Sequence, residues 1–282
     1  MQIRAGGFSV LPPVVKNLII INALMFLSTI ALQRTGIDLT DLLGLHYFGS
    51  EAFRPHQIIT YMFMHGSFGH LFFNMFAVWM FGSAIENLWG PKRFLLYYIL
   101  TGIGAAILHY LIVWYNMAPD IAWMEGFIAN PSVEYAEAMF NEFRFSSGIL
   151  QNYGLESGYA NFVEAVNSMQ NATADSKSAN VASNFMASYL EAYKSAPNVV
   201  GASGSLFGLL LAFGMMFPNQ HIFLLFFPFP IKAKYFVLGY GLIELFSGIQ
   251  NSQGDNVAHF AHLGGMLFGY LLIRLWKSKK VF

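Results

Sequence analysis

Residues 94–115 run without a single Asp, Glu, Lys or Arg. About 20 apolar residues are enough to cross the hydrocarbon core of a bilayer. Within lipid every backbone N–H and C=O has to be satisfied inside the segment, so a run of this kind is a helix and packs against other helices. Five more apolar runs accompany it, at 17–32, 68–88, 203–217, 235–246 and 259–276. Composition agrees, since 11% of residues are charged and 56% hydrophobic, against about 25% charged in a soluble domain. The expected fold class is an all-α polytopic membrane protein with six transmembrane helices.

The basic residues orient this layout. With the N-terminus inside, the inner segments hold Arg4, Lys16, Lys92, Arg93, Lys232, Lys234, Arg274, Lys277, Lys279 and Lys280. The outer segments hold Arg34, Arg54, Arg144, Lys177 and Lys194, spread over much longer stretches. Cytoplasmic loops carry the excess of Lys and Arg, so both termini are expected on the cytoplasmic side. Trp89, Trp114 and Trp276 fall near span ends, where interface anchors belong. Arg4 and Lys16 ahead of the first run resemble a signal peptide, but no clear small-residue cleavage site follows, so the run is read as a retained first span. The chain has no cysteine, which excludes disulfide and thiol chemistry and fits a bacterial inner (plasma) membrane.

Residues 116–198 are a different material. They hold Asp120, Glu125, Glu134, Glu137, Glu142, Glu156, Glu164, Asp175 and Glu191 against Arg144, Lys177 and Lys194. The segment is too long for a simple loop. Residues 133–143 and 181–193 place apolar side chains at helical spacing, Val181, Phe185, Tyr189 and Ala192 among them. The expected division is therefore 1–115 for spans one to three, 116–198 for an acidic helical insertion on the outer side, and 199–282 for spans four to six. The insertion reads either as a solvated appendage or as a lid. The short apolar run 222–229, broken by Pro228 and Pro230, reads as an interfacial loop at the inner surface, with an extension of span five as the alternative.

One stretch stands out chemically. Gly201-Ala202-Ser203-Gly204-Ser205-Leu206-Phe207-Gly208 opens the fourth run, which stops at Pro218. Ser203 to Pro218 is roughly 24 Å of helix, so with Pro218 at one surface Ser203 lies below the other. A helix start leaves free N–H groups and a partial positive charge, which suit an oxyanion. Gly204 and Gly208 also form a small-xxx-small face for close helix contact.

Polar side chains recur at the same outer depth. His70 and Asn74, at i and i+4, share a face of span two. Such groups inside a span are costly and usually face the bundle interior or a cavity. In span six, His262 lies three residues before Gly265, and Gly265 and Gly269 form a second small-residue face. If the two glycine faces meet, His262 points at span four, and a histidine within reach of a serine is the minimum for nucleophilic catalysis. Glu86 falls at the inner end of span two, and Glu244 lies in span five as a structural hydrogen-bond partner. No carboxylate is expected to complete a triad, which leaves a Ser-His dyad.

With these residues in view, the chain resembles the rhomboid intramembrane serine proteases. Gly201-Ala202-Ser203-Gly204 is similar to the family's G-x-S-G nucleophile motif. Ala261-His262 followed by Gly265 and Gly269 is similar to its A-H-x-x-G-x-x-x-G motif. His65, His70 and Asn74 fit its H-x-x-x-x-H-x-x-x-N pattern. The resemblance covers about residues 14–115 and 199–276, and 116–198 departs from it. It implies a six-helix bundle in which Ser203 is the nucleophile and His262 the general base, with His70 and Asn74 stabilising the oxyanion. It also implies transmembrane proteins as substrates, the lipid bilayer as medium, and neither cofactor, metal nor nucleic acid. The alternatives are a non-enzymatic rhomboid-like binding or quality-control factor, a transporter or channel, and a zinc site from His65, His70, His259 and His262. The last lacks the H-E-x-x-H arrangement and a nearby carboxylate base.

Overall fold

The structure, a computed structural model, describes residues 8–135, 143–170, 176–224, 227–250 and 257–278. It is mostly helical. It divides into two compact units, one of Met1–Leu45, Arg54–Leu111 and Val199–Phe282 and the other of His46–Phe53 and Ile112–Asn198.

The first unit contains α1 (Pro13–Gln33) and α2 (Phe68–Trp89), and α3 (Pro91–Ala129) begins in it. Among the described residues these three helices are long and apolar enough to cross a membrane. Proline at the first position of α1 costs nothing, because that N–H has no helical partner. Glu86, near the end of α2, takes up two more free N–H groups of α1, accepting from Val14 at 3.0 Å and Val15 at 2.8 Å. Ser67 caps α2 by accepting from the His70 N–H at 3.1 Å, which sets the first turn on which His70 sits. A π-helical turn, Val78–Gly82, interrupts α2 halfway.

Three more helices close this unit: α7 (Ser203–Met216), α8 (Ala233–Gln250) and α9 (His259–Ser278). Helices thus occupy the six positions expected of spans, and among the described residues three of them are long and apolar enough to cross a membrane. Helix α7 is apolar yet only 14 residues long. Helices α8 and α9 carry Lys234 and Glu244, and His259, His262, Arg274 and Lys277.

The centre of the unit is built on glycine. A Cβ added to Gly265 in α9 would run into the Gly204 carbonyl oxygen in α7, and one on Gly269 would meet the Tyr97 hydroxyl. One on Gly204 would lie 2.5 Å from the Ala105 Cβ in α3, and one on Gly208 2.7 Å from Thr101. The two small-residue faces read in spans four and six therefore meet, with α3 against both. Hydrogen bonds reinforce the contact, from Tyr97 Oη to the Gly208 carbonyl at 2.8 Å and from Ser205 Oγ to the Tyr98 carbonyl at 2.8 Å.

Two segments depart from the sequence reading. The run 222–229 is not an open loop, because β1 (His221–Leu224) pairs antiparallel with β2 (Phe227–Lys232), with His221 opposite Lys232 and Ile222 opposite Ile231. The register shifts between Ile222 and Leu224, opposite the stretch that holds the two prolines, so pairing is regular on the Lys232 side and resumes at Leu224 opposite Phe227. Helix α3 also runs past Tyr115 to Ala129, with Pro119 inside it. Composition changes at Asn116 while the backbone does not, because Met117, Met124 and Phe127 keep a buried face at helical spacing.

In the second unit, α4 (Ser147–Asn152), α5 (Glu156–Gln170) and α6 (Ser176–Ser195) join the last part of α3. Their core is Met124, Phe127, Phe162, Val166, Phe185, Met186 and Tyr189. Phe185, Tyr189 and Ala192 are buried as the spacing predicts, whereas Val181 at the head of that stripe is exposed. Of the helical stretch expected at 133–143, residues 136–142 lie outside the described residues. The Tyr193 hydroxyl donates to the Asp120 carboxylate at 2.6 Å, and burial together with that carboxylate raises the Tyr193 phenol above its ordinary range.

Candidate active site

Ser203 is the first residue of α7, and the loop before it is pinned by backbone geometry. Gly201 has φ +126°, a conformation that side chains disfavour, and its N–H donates to the Tyr61 carbonyl at 2.9 Å. A Cβ at Gly201 would also lie 2.8 Å from the His70 ring and 3.8 Å from Ser203 Oγ, so the glycine is what lets His70 and Ser203 flank the same point. Tyr61 is fixed in turn by donating its hydroxyl to the Gly102 carbonyl in α3 at 2.7 Å.

His262 reaches Ser203 across the glycine contact. Its Nε2 lies 2.9 Å from Ser203 Oγ. The imidazole lies flat on the Phe207 ring, centroids 4.2 Å apart and planes 7° off parallel. Phe207 is four residues after Ser203, on the same face of α7, so nucleophile and histidine are held by one helix turn. Phe207 stacks in turn on Tyr240 of α8.

On the other side of the imidazole is a carboxylate. His262 Nδ1 lies 2.8 Å from Glu244 Oε2, and His259 Nδ1 lies 2.6 Å from the same oxygen. The expectation that no carboxylate is placed to meet the histidine is overturned. Position on α8 brings Glu244 level with His262, and residue numbers could not give that depth. An ionised carboxylate only accepts, so Nδ1 carries the proton and donates, which leaves the Nε2 lone pair facing the Ser203 hydroxyl.

His70 and Asn74 are both on α2, with His70 half-buried and Asn74 buried. The Asn74 Nδ2 group has no hydrogen-bond partner among the described residues. A buried donor left unmet costs about 1–3 kcal/mol, so the group is held for something other than internal packing. His65, expected to be structural, is buried with its ring edge-on to His70, centroids 4.9 Å apart.

A family model described as the rhomboid domain matches residues 52–129 and 177–278, well over half of the chain. The chain belongs to the rhomboid family. It is an integral membrane protein of that family, and the match breaks off across residues 130–176. This rhomboid is similar to RHOMBOID-like protein 12, mitochondrial, of Arabidopsis thaliana, 28% identical over 119 residues, 42% of this chain and 35% of the relative. It is similar to the rhomboid protease GluP of Bacillus subtilis strain 168, 36% identical over 62 residues, 22% of this chain and 12% of the relative. It therefore spans well under two thirds of either relative.

Two features of this rhomboid site escaped the sequence reading. Phe207 had a signal, its i+4 spacing from Ser203. Glu244 had another, since an acid in the middle of an apolar helix needs a partner, but the partner lies on a different helix. The donor atoms of Glu244, His259 and His262 all lie within 4.8 Å of one another, the kind of group that can hold a metal ion. Both N–O separations are those of hydrogen bonds to one oxygen, a geometry that protonated nitrogens satisfy without an ion.

Proposed function

We propose that the protein is an intramembrane serine endopeptidase that hydrolyses peptide bonds in or next to transmembrane segments of other membrane proteins. The observation that carries this reading is the 2.9 Å approach of His262 Nε2 to Ser203 Oγ at the start of α7. Ser203 Oγ attacks the scissile carbonyl while His262 Nε2 takes its proton. His262 then returns the proton to the leaving amine, and water repeats the sequence on the acyl-enzyme. The Ser203 N–H, free at the helix start, and the side chains of His70 and Asn74 receive the negative charge on the tetrahedral oxygen. The unpartnered Asn74 Nδ2 supports that role.

The accompanying topology is six spans, built on α1, α2, α3, α7, α8 and α9, with residues 116–198 as an insertion on the outer side and both termini in the cytoplasm of a bacterium. The charge distribution supports the orientation, and the break in the family match across 130–176 supports the insertion. A substrate helix has to unwind locally to expose a peptide bond, so small or helix-breaking residues near the outer interface favour cleavage.

Purified protein in detergent, given a model transmembrane substrate, tests the reading with wild type, Ser203→Ala and His262→Ala side by side. Cleavage by wild type that falls at least about a thousandfold in both folded variants is expected. Cleavage surviving in Ser203→Ala sinks the serine mechanism. A folded wild type that binds transmembrane segments without cutting them favours the non-enzymatic alternative, in keeping with a relative whose name says only rhomboid-like.

A further inference from the structure

Glu244 is the one described acid placed against the proposed catalytic histidine, and nothing in the Ser-His reading uses it. It sits within α8, 6% exposed, in a helix of mostly apolar side chains. Burying a carboxylate there is costly unless its oxygens are met. Two histidines meet one of them, His262 at 2.8 Å and His259 at 2.6 Å. His259 and His262 are three residues apart on α9, so both rings project towards α8 from one helix turn.

We infer that Glu244 is a positioning residue for the proposed hydrolysis, fixing the His262 ring and offsetting the charge it acquires, with His259 sharing the carboxylate and limiting that effect. The inference rests on the serine-endopeptidase reading. In the attack step the Ser203 Oγ–H bond breaks and the proton passes to His262 Nε2, giving an imidazolium. The proton on Nδ1 stays there, donated to Glu244, which remains a carboxylate throughout. The flat contact with Phe207 restrains the ring from rotating about its plane normal only weakly, and the Nδ1–Glu244 bond supplies the missing restraint. It selects the tautomer with Nε2 free. The unit negative charge at 2.8 Å stabilises the imidazolium more than it would in water, because both groups are buried.

The charges around His262 come from several elements. Glu244 and the Tyr240 hydroxyl lie on α8, His259 on α9, His70 on α2 and His109 on α3, the last two interacting electrostatically with His262. Among these groups only Glu244 is acidic. Removing it leaves basic or neutral neighbours and takes away the charge that offsets the imidazolium. Removing His259 leaves the carboxylate to His262 alone. A carboxylate that merely filled space predicts no effect of either change on the chemistry.

The test is the pH profile of kcat and kcat/KM for cleavage of a model transmembrane substrate by wild type, Glu244→Gln, Glu244→Asp and His259→Phe. Glu244→Gln keeps the shape and an acceptor but removes the charge. It is expected to lower kcat at least about tenfold with little change in KM, and to shift the acidic limb of the profile. Glu244→Asp restores part of both, and His259→Phe shifts the limb the other way. A Glu244→Gln protein with wild-type kcat and profile overturns the inference. Should Glu244→Gln not fold, His259→Phe decides, and an unmoved limb overturns it. Histidine nitrogen NMR gives a readout independent of cleavage. If the wild type cuts nothing, the endopeptidase reading falls and takes the positioning role with it, whereas a wild type that cuts, together with a Glu244→Gln protein of unchanged kcat and His262 tautomer, overturns the inference alone.

Discussion

The helical bundle and the α4–α6 unit both bury large apolar side chains but differ in what lies beside them and in what they expose. At the centre of the bundle glycine meets glycine, Gly204 against Gly265, and the polar groups of Ser205, Tyr97, Glu244 and His262 are hydrogen-bonded inside. Ile85, Phe94 and Leu209 are buried there as well, but many large apolar residues, Leu24, Leu27, Leu238, Ile243 and Phe246 among them, are on the outside. In the other unit Phe162, Phe185 and Tyr189 are inside, and Glu156, Ser176 and Lys177 are exposed. The difference is one of solvent. Lipid is as apolar as leucine, so it gives no drive to bury leucine, and close van der Waals contact and internal hydrogen bonds hold helices together. Water does drive burial, at about 25 cal/mol per Å² of apolar surface.

The largest effect that follows is in the α4–α6 unit. Phe162 is fully buried between Phe145, Tyr159 and Phe185. Phe162→Ala is expected to cost about 3–5 kcal/mol of local stability, read as faster hydrogen exchange of the α5 and α6 amides. Unchanged protection breaks the comparison, because it means that this core does not hold its helices.

In the bundle the sensitive change runs the other way, from small to larger. Gly265→Ala places a Cβ on the Gly204 carbonyl, a backbone atom that cannot swing aside. Overpacking of this kind costs about 1–3 kcal/mol, measured as a lower midpoint of thermal unfolding in detergent. The same shift parts His262 from Ser203, and a displacement of about 1 Å lowers cleavage about a hundredfold. An Ala variant with normal stability and rate means that the α7–α9 contact is softer than the glycine packing implies.

The contrast also explains what could be read in advance. Glycine faces on α7 and α9, the His70–Asn74 pair and the serine at a helix start are local patterns, written at helical spacing, and the structure brings the two glycine faces together. The pairing of Glu244 with His262 depends on how deep α8 and α9 sit against each other, which no spacing within either helix encodes. Helix α3 misled for a related reason. Asn116 marks where its surroundings change, and a composition shift reads as the end of an element even when the buried face continues through Met117, Met124 and Phe127. In the 222–229 run two prolines read as breakers, although the hairpin absorbs them in a register shift and pairs on either side of it.

The smallest effect is the sharpest test of the solvent argument. Leu27 on α1 is 61% exposed. On a water-facing helix an exposed leucine replaced by alanine is usually worth less than about 0.5 kcal/mol, since surface changes away from special features stay within that range. In the bundle the reason is different, because the side chain leaves one apolar medium for another. Leu27→Ala is therefore expected to leave the unfolding midpoint in detergent unmoved and to stay neutral when the protein is reconstituted in bilayers. A loss of more than about 1 kcal/mol in the bilayer alone contradicts lipid as the neighbour of this face, since lipid refills the space of a lost side chain and only a packed partner leaves a cavity. The same measurement on Phe162→Ala, where no lipid can refill the hole, fixes the scale against which the Leu27 result is read.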